Sequence, residues 1–185
     1  MLAFLFSLWL LDTFFRVADI YGKNPNLYFL PIFYSFAFGP LLYCYTLQLT
    51  NTKKLAVKEK FIHFIPALLQ GALYVFLQLN SYNFRHYFWI EVHKPYTYNI
   101  ELGFSFLSLV TYLYFSRKHL LKYKFTIENN YSNLHRITLQ WLRQFHWVLF
   151  LVSLFLFFET VARLAWNLYP STPLSSIMMG IIIIV

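Results

Sequence analysis

Six apolar segments separated by short polar loops make up most of the chain, and this pattern limits the fold more than any other feature. The second segment contains no charged side chain, and about 20 apolar residues in a helix are enough to cross the hydrocarbon of a bilayer. We therefore predict one all-α transmembrane domain, a polytopic bundle of about six spans. The segments cover residues 2–21, 27–49, 61–79, 98–115, 147–168 and 174–185.

The composition also favours a membrane protein over a soluble one. Hydrophobic residues make up 59% of the chain and charged residues 12%, and this is about half the charged fraction of soluble domains. No basic stretch precedes the first apolar segment, as it would in a secretory signal peptide, so that segment is expected to remain in the mature protein. The single cysteine, Cys44, excludes an intramolecular disulfide and is predicted to be an inert interior residue.

The distribution of Lys and Arg predicts the orientation of the chain. Residues 50–60 carry four of these side chains and residues 116–146 carry six, whereas the opposite side carries four in all. Loops rich in Lys and Arg stay in the cytoplasm. Both basic stretches are therefore predicted to be cytoplasmic, where they would face the anionic headgroups of the lipid bilayer.

The second basic stretch, which we interpret as a hinge between two spans, also contains an amphipathic pattern. From Tyr131 to Phe145 apolar residues recur with a helical period, and Ser132 is suited to cap such a helix. Two interpretations are open: a helix on the cytoplasmic membrane surface before the fifth span, or the polar start of that span. The residues assigned to membrane-surface contact and coupling are Arg117, Lys118, Lys122, Lys124, Arg136, Trp141 and Arg143.

Five ionisable residues lie within the apolar segments at a similar predicted depth, toward the outer side of the membrane. They are Asp12, Arg16, Glu101, Glu159 and Arg163. The first two, like the last two, are spaced i, i+4, which places both members of a pair on one helix face. Because unpaired charges are costly in a bilayer, these side chains are predicted to face the bundle interior. Two interpretations are open: they line an outward-facing pocket for a small, unidentified ligand, or they hold the helices in register.

Recognisable motifs for catalysis are absent from the sequence. It has no His-Glu-x-x-His, no Gly-x-Ser-x-Gly and no glycine-rich phosphate loop. His86, Glu91 and His93 carry groups that can bind zinc, but they are unconnected positions on a predicted loop and are interpreted as ordinary interfacial residues. His63, three residues before Pro66, is interpreted as part of a helix start. We expect no enzymatic activity, no metal and no cofactor.

Three motifs, taken in order, resemble a known family. The first is Phe-Gly-Pro-Leu-Leu-Tyr from Phe38, and the second is His-Phe-Ile-Pro from His63, after the first basic loop. The third, which starts at Asn130, is Asn-Tyr-Ser-Asn-Leu followed by Leu-x-Trp-Leu-Arg. Together they resemble the N-terminal membrane region of bacterial AraC-type helix-turn-helix transcriptional regulators. In that family about seven spans precede a cytoplasmic DNA-binding domain.

The resemblance implies that parts of the protein lie outside this chain. It implies one helix before Leu2, completion of the last helix after Val185, and a C-terminal domain that contacts DNA, which this chain itself would not do. The last segment supports this expectation, because its 12 residues form about 18 Å of helix and the hydrocarbon is about 30 Å thick.

The same resemblance implies a sensor that crosses the bacterial cytoplasmic (inner) membrane several times and has its C-terminus in the cytoplasm. Pairing of two copies into a homodimer would suit a DNA-binding output domain. Similar membrane regions also precede histidine-kinase modules, so the identity of the output domain stays open. A membrane enzyme or transporter is the alternative from a different class.

Overall fold

The computed structural model describes residues 2–50, 57–130 and 139–166. Within these ranges the secondary structure is helical and includes no strand, which confirms the all-α prediction. The predicted sixth segment at 174–185 and the start of the amphipathic pattern, with Arg136, lie outside the described residues. The α-helices are α1 (Leu2–Val17), α2 (Ile20–Lys23), α3 (Phe38–Thr50), α4 (Val57–Leu79), α5 (Tyr82–Tyr87), α6 (Tyr98–Asn130) and α7 (Gln140–Trp166).

Two of these helices are long and apolar enough to cross a membrane. The apolar windows are Phe61–Leu79 in α4 and Gln140–Ala162 in α7, and they coincide with the predicted third and fifth segments. Only 28% and 31% of these windows is buried inside the protein, whereas the core helix of a soluble protein buries most of its apolar surface. Large side chains such as Phe61 and Leu69 point outward from α4. This exposed apolar surface supports a membrane protein.

The first two predicted segments are not continuous helices. α1 ends at Val17, and Asp19 adopts a left-handed backbone conformation with φ of 52° before α2 begins. Between a 3₁₀ turn at Pro25–Leu27 and another at Ser35–Ala37, residues 28–34 are not helical. Pro31 explains this second interruption, because proline cannot donate a backbone hydrogen bond and also disfavours helical geometry in the residue before it.

The predicted loop at residues 80–97 is instead helical from Tyr82 onward. It forms α5 and a π-helical segment at Phe88–Thr97 that contains Pro95 and leads directly into α6. A proline inside a helix removes one hydrogen bond and crowds the carbonyl four residues earlier, and the wider π-helical turn accommodates that crowding. The Asn99 Nδ2 group donates to the Pro95 carbonyl at 3.0 Å, which satisfies one of the released acceptors.

Residues 116–130 of the basic stretch continue α6, so this described part of it does not form a hinge. α6 has 33 residues, so it is about 50 Å long and extends well beyond a hydrocarbon layer of about 30 Å. Trp141 and Arg143 belong to α7, which is continuous with the predicted fifth segment. The described residues therefore favour the polar start of the fifth span over a separate surface helix.

α6 is the central helix of the described protein and packs against α3 and α7. Gly39 lets α3 approach closely, because a Cβ atom there would lie 2.7 Å from the Tyr112 ring. Hydrogen bonds also fix the neighbours of α6: the Tyr112 hydroxyl lies 2.9 Å from His63 Nδ1 of α4. Thr46 Oγ1 of α3 lies 3.3 Å from His146 Nε2 of α7. His63 thus joins two helices.

Candidate functional site

Asp12 and Arg16 form an ion pair on α1, in which Asp12 is buried and the Arg16 side chain is partly exposed. The Arg16 Nε group donates to Asp12 Oδ2 at 2.8 Å, as the i, i+4 spacing predicts. The Tyr21 hydroxyl donates to the other carboxylate oxygen at 2.7 Å, and Asp12 is only 3% exposed. Both carboxylate oxygens are therefore satisfied by strong donors, which a buried charge requires.

Four aromatic rings surround the Arg16 guanidinium. Its central carbon lies 4.4 Å from the ring centroid of Tyr98 and 5.1 Å from that of Trp89. The Tyr21 and Phe33 centroids are 5.6 Å and 6.0 Å away. A guanidinium within about 6 Å of a ring centroid is attracted to the electron-rich face, and the attraction is larger where water is excluded. The four rings come from four parts of the chain: α2, the non-helical residues 28–34, the π-helical segment and α6.

Glu101 lies beside this cluster. Its carboxylate accepts a hydrogen bond from the Tyr74 hydroxyl of α4 at 2.8 Å, and the charges of Arg16 and Asp12 act on it. Three of the five predicted pocket residues therefore lie in one region. The other two, Glu159 and Arg163, belong to α7, but their side chains are not among those that the structure describes.

A row of small polar side chains continues from Glu101. Ser105 Oγ, one turn further along α6, donates to the Glu101 carbonyl and lies 2.6 Å from Ser35 Oγ. Gln70 Nε2 of α4 donates to the same Ser35 oxygen at 3.1 Å. Gln70 Oε1 in turn accepts from the Phe36 amide at 3.4 Å. This network ties α4 and α6 to the 3₁₀ turn before α3.

An apolar cavity of about 70 Å³ adjoins the polar row and lies between α1, α3, α6 and α7. Ser35 and Ser105 belong both to the row and to the cavity wall, so the row leads from the cavity to the Glu101 backbone. The described wall carries no charged side chain, His or Cys. The lining residues are Phe6, Trp9, Phe33, Ser35, Phe38, Leu42, Leu102, Gly103, Ser105, Phe106, Leu109, Phe145, Leu149, Ser153, Phe157 and Thr160.

The three residues with zinc-binding groups do not come together. His93 is 2% exposed, and its Nδ1 lies 2.9 Å from Thr97 Oγ1. Burial, reinforced by the Arg16 charge, lowers the pKa of His93 to about 3, so this side chain is neutral. His86 stacks between the Tyr28 and Tyr82 rings instead. Among the described residues, no three His, Cys, Asp or Glu side chains are grouped to hold a metal ion.

The described residues among those assigned to the membrane surface lie on α6 and α7, and they are exposed. The Arg117 guanidinium lies 4.4 Å from the Trp147 ring centroid, which joins the two helices. The exposed residues of this set are Arg117, Lys118, Lys122, Lys124, Trp141 and Arg143.

Sequence reasoning missed most of the aromatic and neutral polar partners in the site. Tyr98 and Trp89 gave no signal, because aromatic residues occur throughout this chain. Gln70 and Ser105 gave a weak one, since both interrupt apolar segments with a side chain that needs a hydrogen-bond partner in a membrane.

The described residues define a class of protein: all-helical, with two helices able to cross a membrane and an apolar cavity beside a buried charged cluster. Comparisons with models of known families, with curated proteins and with solved structures find no match. No family is assigned by similarity.

Proposed function

We propose that this chain is the membrane-embedded sensor region of a bacterial AraC-type helix-turn-helix transcriptional regulator. In this proposal it forms a bundle of about six spans in the cytoplasmic (inner) membrane, and the domain that contacts DNA lies beyond this chain. The resemblance of the three sequence motifs suggests the output. The observation that carries the sensor role is the apolar cavity, whose Ser35 and Ser105 belong to a row of polar side chains that reaches Glu101 beside the Asp12–Arg16 pair.

The non-helical backbone at residues 28–34 supports a membrane setting. Irregular backbone is tolerated at membrane depth only where protein covers it. Tyr28, Phe29 and Phe33 in this stretch are each at most 3% exposed, and Phe29 packs against Tyr74 and Trp89. The interrupted second segment can therefore lie inside a bundle without facing lipid.

The cavity suits a small apolar ligand that carries a hydroxyl or carbonyl group. Aromatic and aliphatic walls would bury its body, and Ser35 and Ser105 would bond its polar group. Binding shifts helix packing only if one arrangement binds more tightly than the other. α6 contributes Ser105 to the cavity wall and continues past Arg117 to Asn130, so it would carry a change in packing toward the output domain.

Sequencing the gene beyond the codon for Val185 tests the output. We expect two helix-turn-helix patterns in the same reading frame. A helix with a phosphorylatable His followed by ATP-binding glycines would instead support the histidine-kinase alternative. A stop codon shortly after completion of the last helix would favour a membrane enzyme or transporter and contradict the proposal.

Ligand binding in the cavity is tested with benzyl alcohol, which combines a small apolar ring with a hydroxyl group. We expect it to raise the unfolding temperature of the wild-type chain in detergent and to have little effect on Ser105→Phe, whose ring fills the cavity. Leu107→Phe is the control, because Leu107 lies on the same helix and is 57% exposed. An equal shift in Ser105→Phe and the wild type would contradict binding at this site.

A further inference from the structure

The middle of α6 borders a second cavity, which the proposed sensor role does not use. It has a volume of about 230 Å³ and lies between α6 and α7. A smaller cavity of about 50 Å³ follows it toward the ends of the two helices. Arg117 and Arg143 line both cavities, so the two guanidinium-bearing side chains stand at their shared border.

The lining of the larger cavity changes from apolar to cationic along its length. Val110, Leu113 and Phe150 line its inner part, and Arg117 and Arg143 line the part toward the helix ends. The Arg117 guanidinium is also fixed in place by the Trp147 ring at 4.4 Å. An apolar slot that ends at two arginines matches an acyl chain that ends at a phosphate.

The two arginines lack a counter-charge in the described part of the protein. Neither Arg117 nor Arg143 pairs with a described carboxylate, and the described lining of both cavities contains no Asp or Glu. Two cations at one cavity repel each other unless an anion lies between them. Basic pockets between helices on the cytoplasmic side of a membrane are suited to lipid headgroups.

We propose that Arg117 and Arg143 bind the headgroup phosphate of one anionic phospholipid, with part of an acyl chain in the apolar slot. This site is separate from the apolar cavity lined by Ser35 and Ser105. The lipid proposal requires that the chain lies in a membrane, but it does not require that the chain is a sensor. Its loss would leave benzyl alcohol binding at Ser105 unchanged, so the two proposals can fail independently.

The test measures phosphatidylglycerol that stays bound to the purified full chain, by native mass spectrometry after transfer from vesicles of phosphatidylcholine and phosphatidylglycerol. We expect the wild type to retain phosphatidylglycerol in preference to phosphatidylcholine. The double variant Arg117→Gln/Arg143→Gln should retain about tenfold less, because both guanidinium contacts to the phosphate are lost.

The matched control is Lys118→Gln/Lys122→Gln, which removes the same charge from exposed positions of α6 that do not line either cavity. It should retain phosphatidylglycerol at the wild-type level. An equal loss in this control would overturn the proposal, because the attraction would then belong to the basic surface as a whole. Equal retention of the two lipids by the wild type would also overturn it.

Two further measurements separate the remaining explanations. Arg117→Lys/Arg143→Lys keeps the charge but not the guanidinium fork, so lipid retention between that of the wild type and that of the Gln variant supports a phosphate contact. Unfolding of the Gln variant is measured in parallel, and a wild-type unfolding temperature assigns its loss of lipid to the site. Glycerol 3-phosphate is the soluble competitor, and full displacement of the lipid by it would point to a soluble phosphate ligand and overturn the lipid assignment.

Discussion

At the scale of single residues, the charge on Arg16 is the feature on which its neighbours depend. Asp12 neutralises it at 2.8 Å, and the Tyr98 and Trp89 rings cover it. A buried ion pair is not by itself evidence of high stability, but the loss of one partner leaves the other charge unpaired. A substitution of one member alone should therefore lower the free energy of unfolding more than the pair itself contributes.

Asp12→Asn keeps the shape of the side chain but removes its charge. We expect a loss of about 2–4 kcal/mol in the free energy of unfolding, because Arg16 is left without its counter-ion. Denaturant or thermal unfolding in detergent measures it. Asp19→Asn, at an exposed position, serves as the control and should be close to neutral. If Asp12→Asn behaves like Asp19→Asn, the ion pair does not stabilise the fold.

His93 predicts a dependence of stability on pH. Its folded-state pKa is lowered to about 3, whereas the pKa of an ordinary His in an unfolded chain is about 6.5. Between these two pH values the unfolded chain therefore binds more protons at His93 than the folded chain does. The free energy of unfolding should therefore fall as the pH falls below about 6.5, by at most about 1.4 kcal/mol per pH unit from this residue.

The variant His93→Phe checks that origin. It keeps an aromatic ring beside Phe29 and Trp89 but cannot bind a proton. The free energy of unfolding of this variant should therefore depend less steeply on pH than that of the wild type. An unchanged pH dependence in His93→Phe would show that His93 titrates normally in the folded protein.

At the scale of secondary structure elements, the contact between α3 and α6 depends on one glycine. A Cβ atom at Gly39 would lie 2.7 Å from the Tyr112 ring and 3.2 Å from the Ser108 carbonyl oxygen. Backbone cannot move aside as a flexible side chain does. We predict that Gly39→Ala destabilises the protein by about 1–3 kcal/mol.

Gly103→Ala is the matched substitution on α6. A Cβ atom there would meet nothing within 4 Å, and alanine favours a helix over glycine by about 1 kcal/mol. Its unfolding temperature should be equal to or above that of the wild type. Equal effects of the two substitutions would mean that close packing of α3 and α6 is not required.

At the scale of the whole molecule, the orientation in the membrane is the main expectation to test. The positive-inside rule predicts that Lys118 faces the cytoplasm and that α5 faces the outer side. Single cysteines replacing Lys118 and the exposed Tyr87, each in a Cys44→Ser background, report the two sides. A membrane-impermeant maleimide on intact cells should label position 87 and not position 118. The opposite pattern would place the basic stretches outside and contradict the proposed coupling.

The sequence by itself determined the properties that depend on neighbouring residues. The apolar windows of α4 and α7 and the pairing of Asp12 with Arg16 follow from hydrophobicity and spacing over a few turns of helix. The helical class followed from the same patterns. The helix boundaries did not, because Gly39 and Pro40 were expected to break the second segment but lie inside α3, and Pro95 lies inside a helical segment that was predicted to be a loop.

Only the tertiary structure decided which distant residues share a site. Arg16 meets Trp89 and Tyr98 across more than seventy positions of sequence, and Ser35 meets Ser105 in the same way. Such contacts depend on how whole helices pack, and many arrangements satisfy the same local hydrophobic pattern. The packing of the helices therefore decides which residue neutralises a buried charge and which residues line a cavity. An unsatisfied polar group in the interior costs more free energy than local helix preferences supply, so only arrangements that pair such groups are stable.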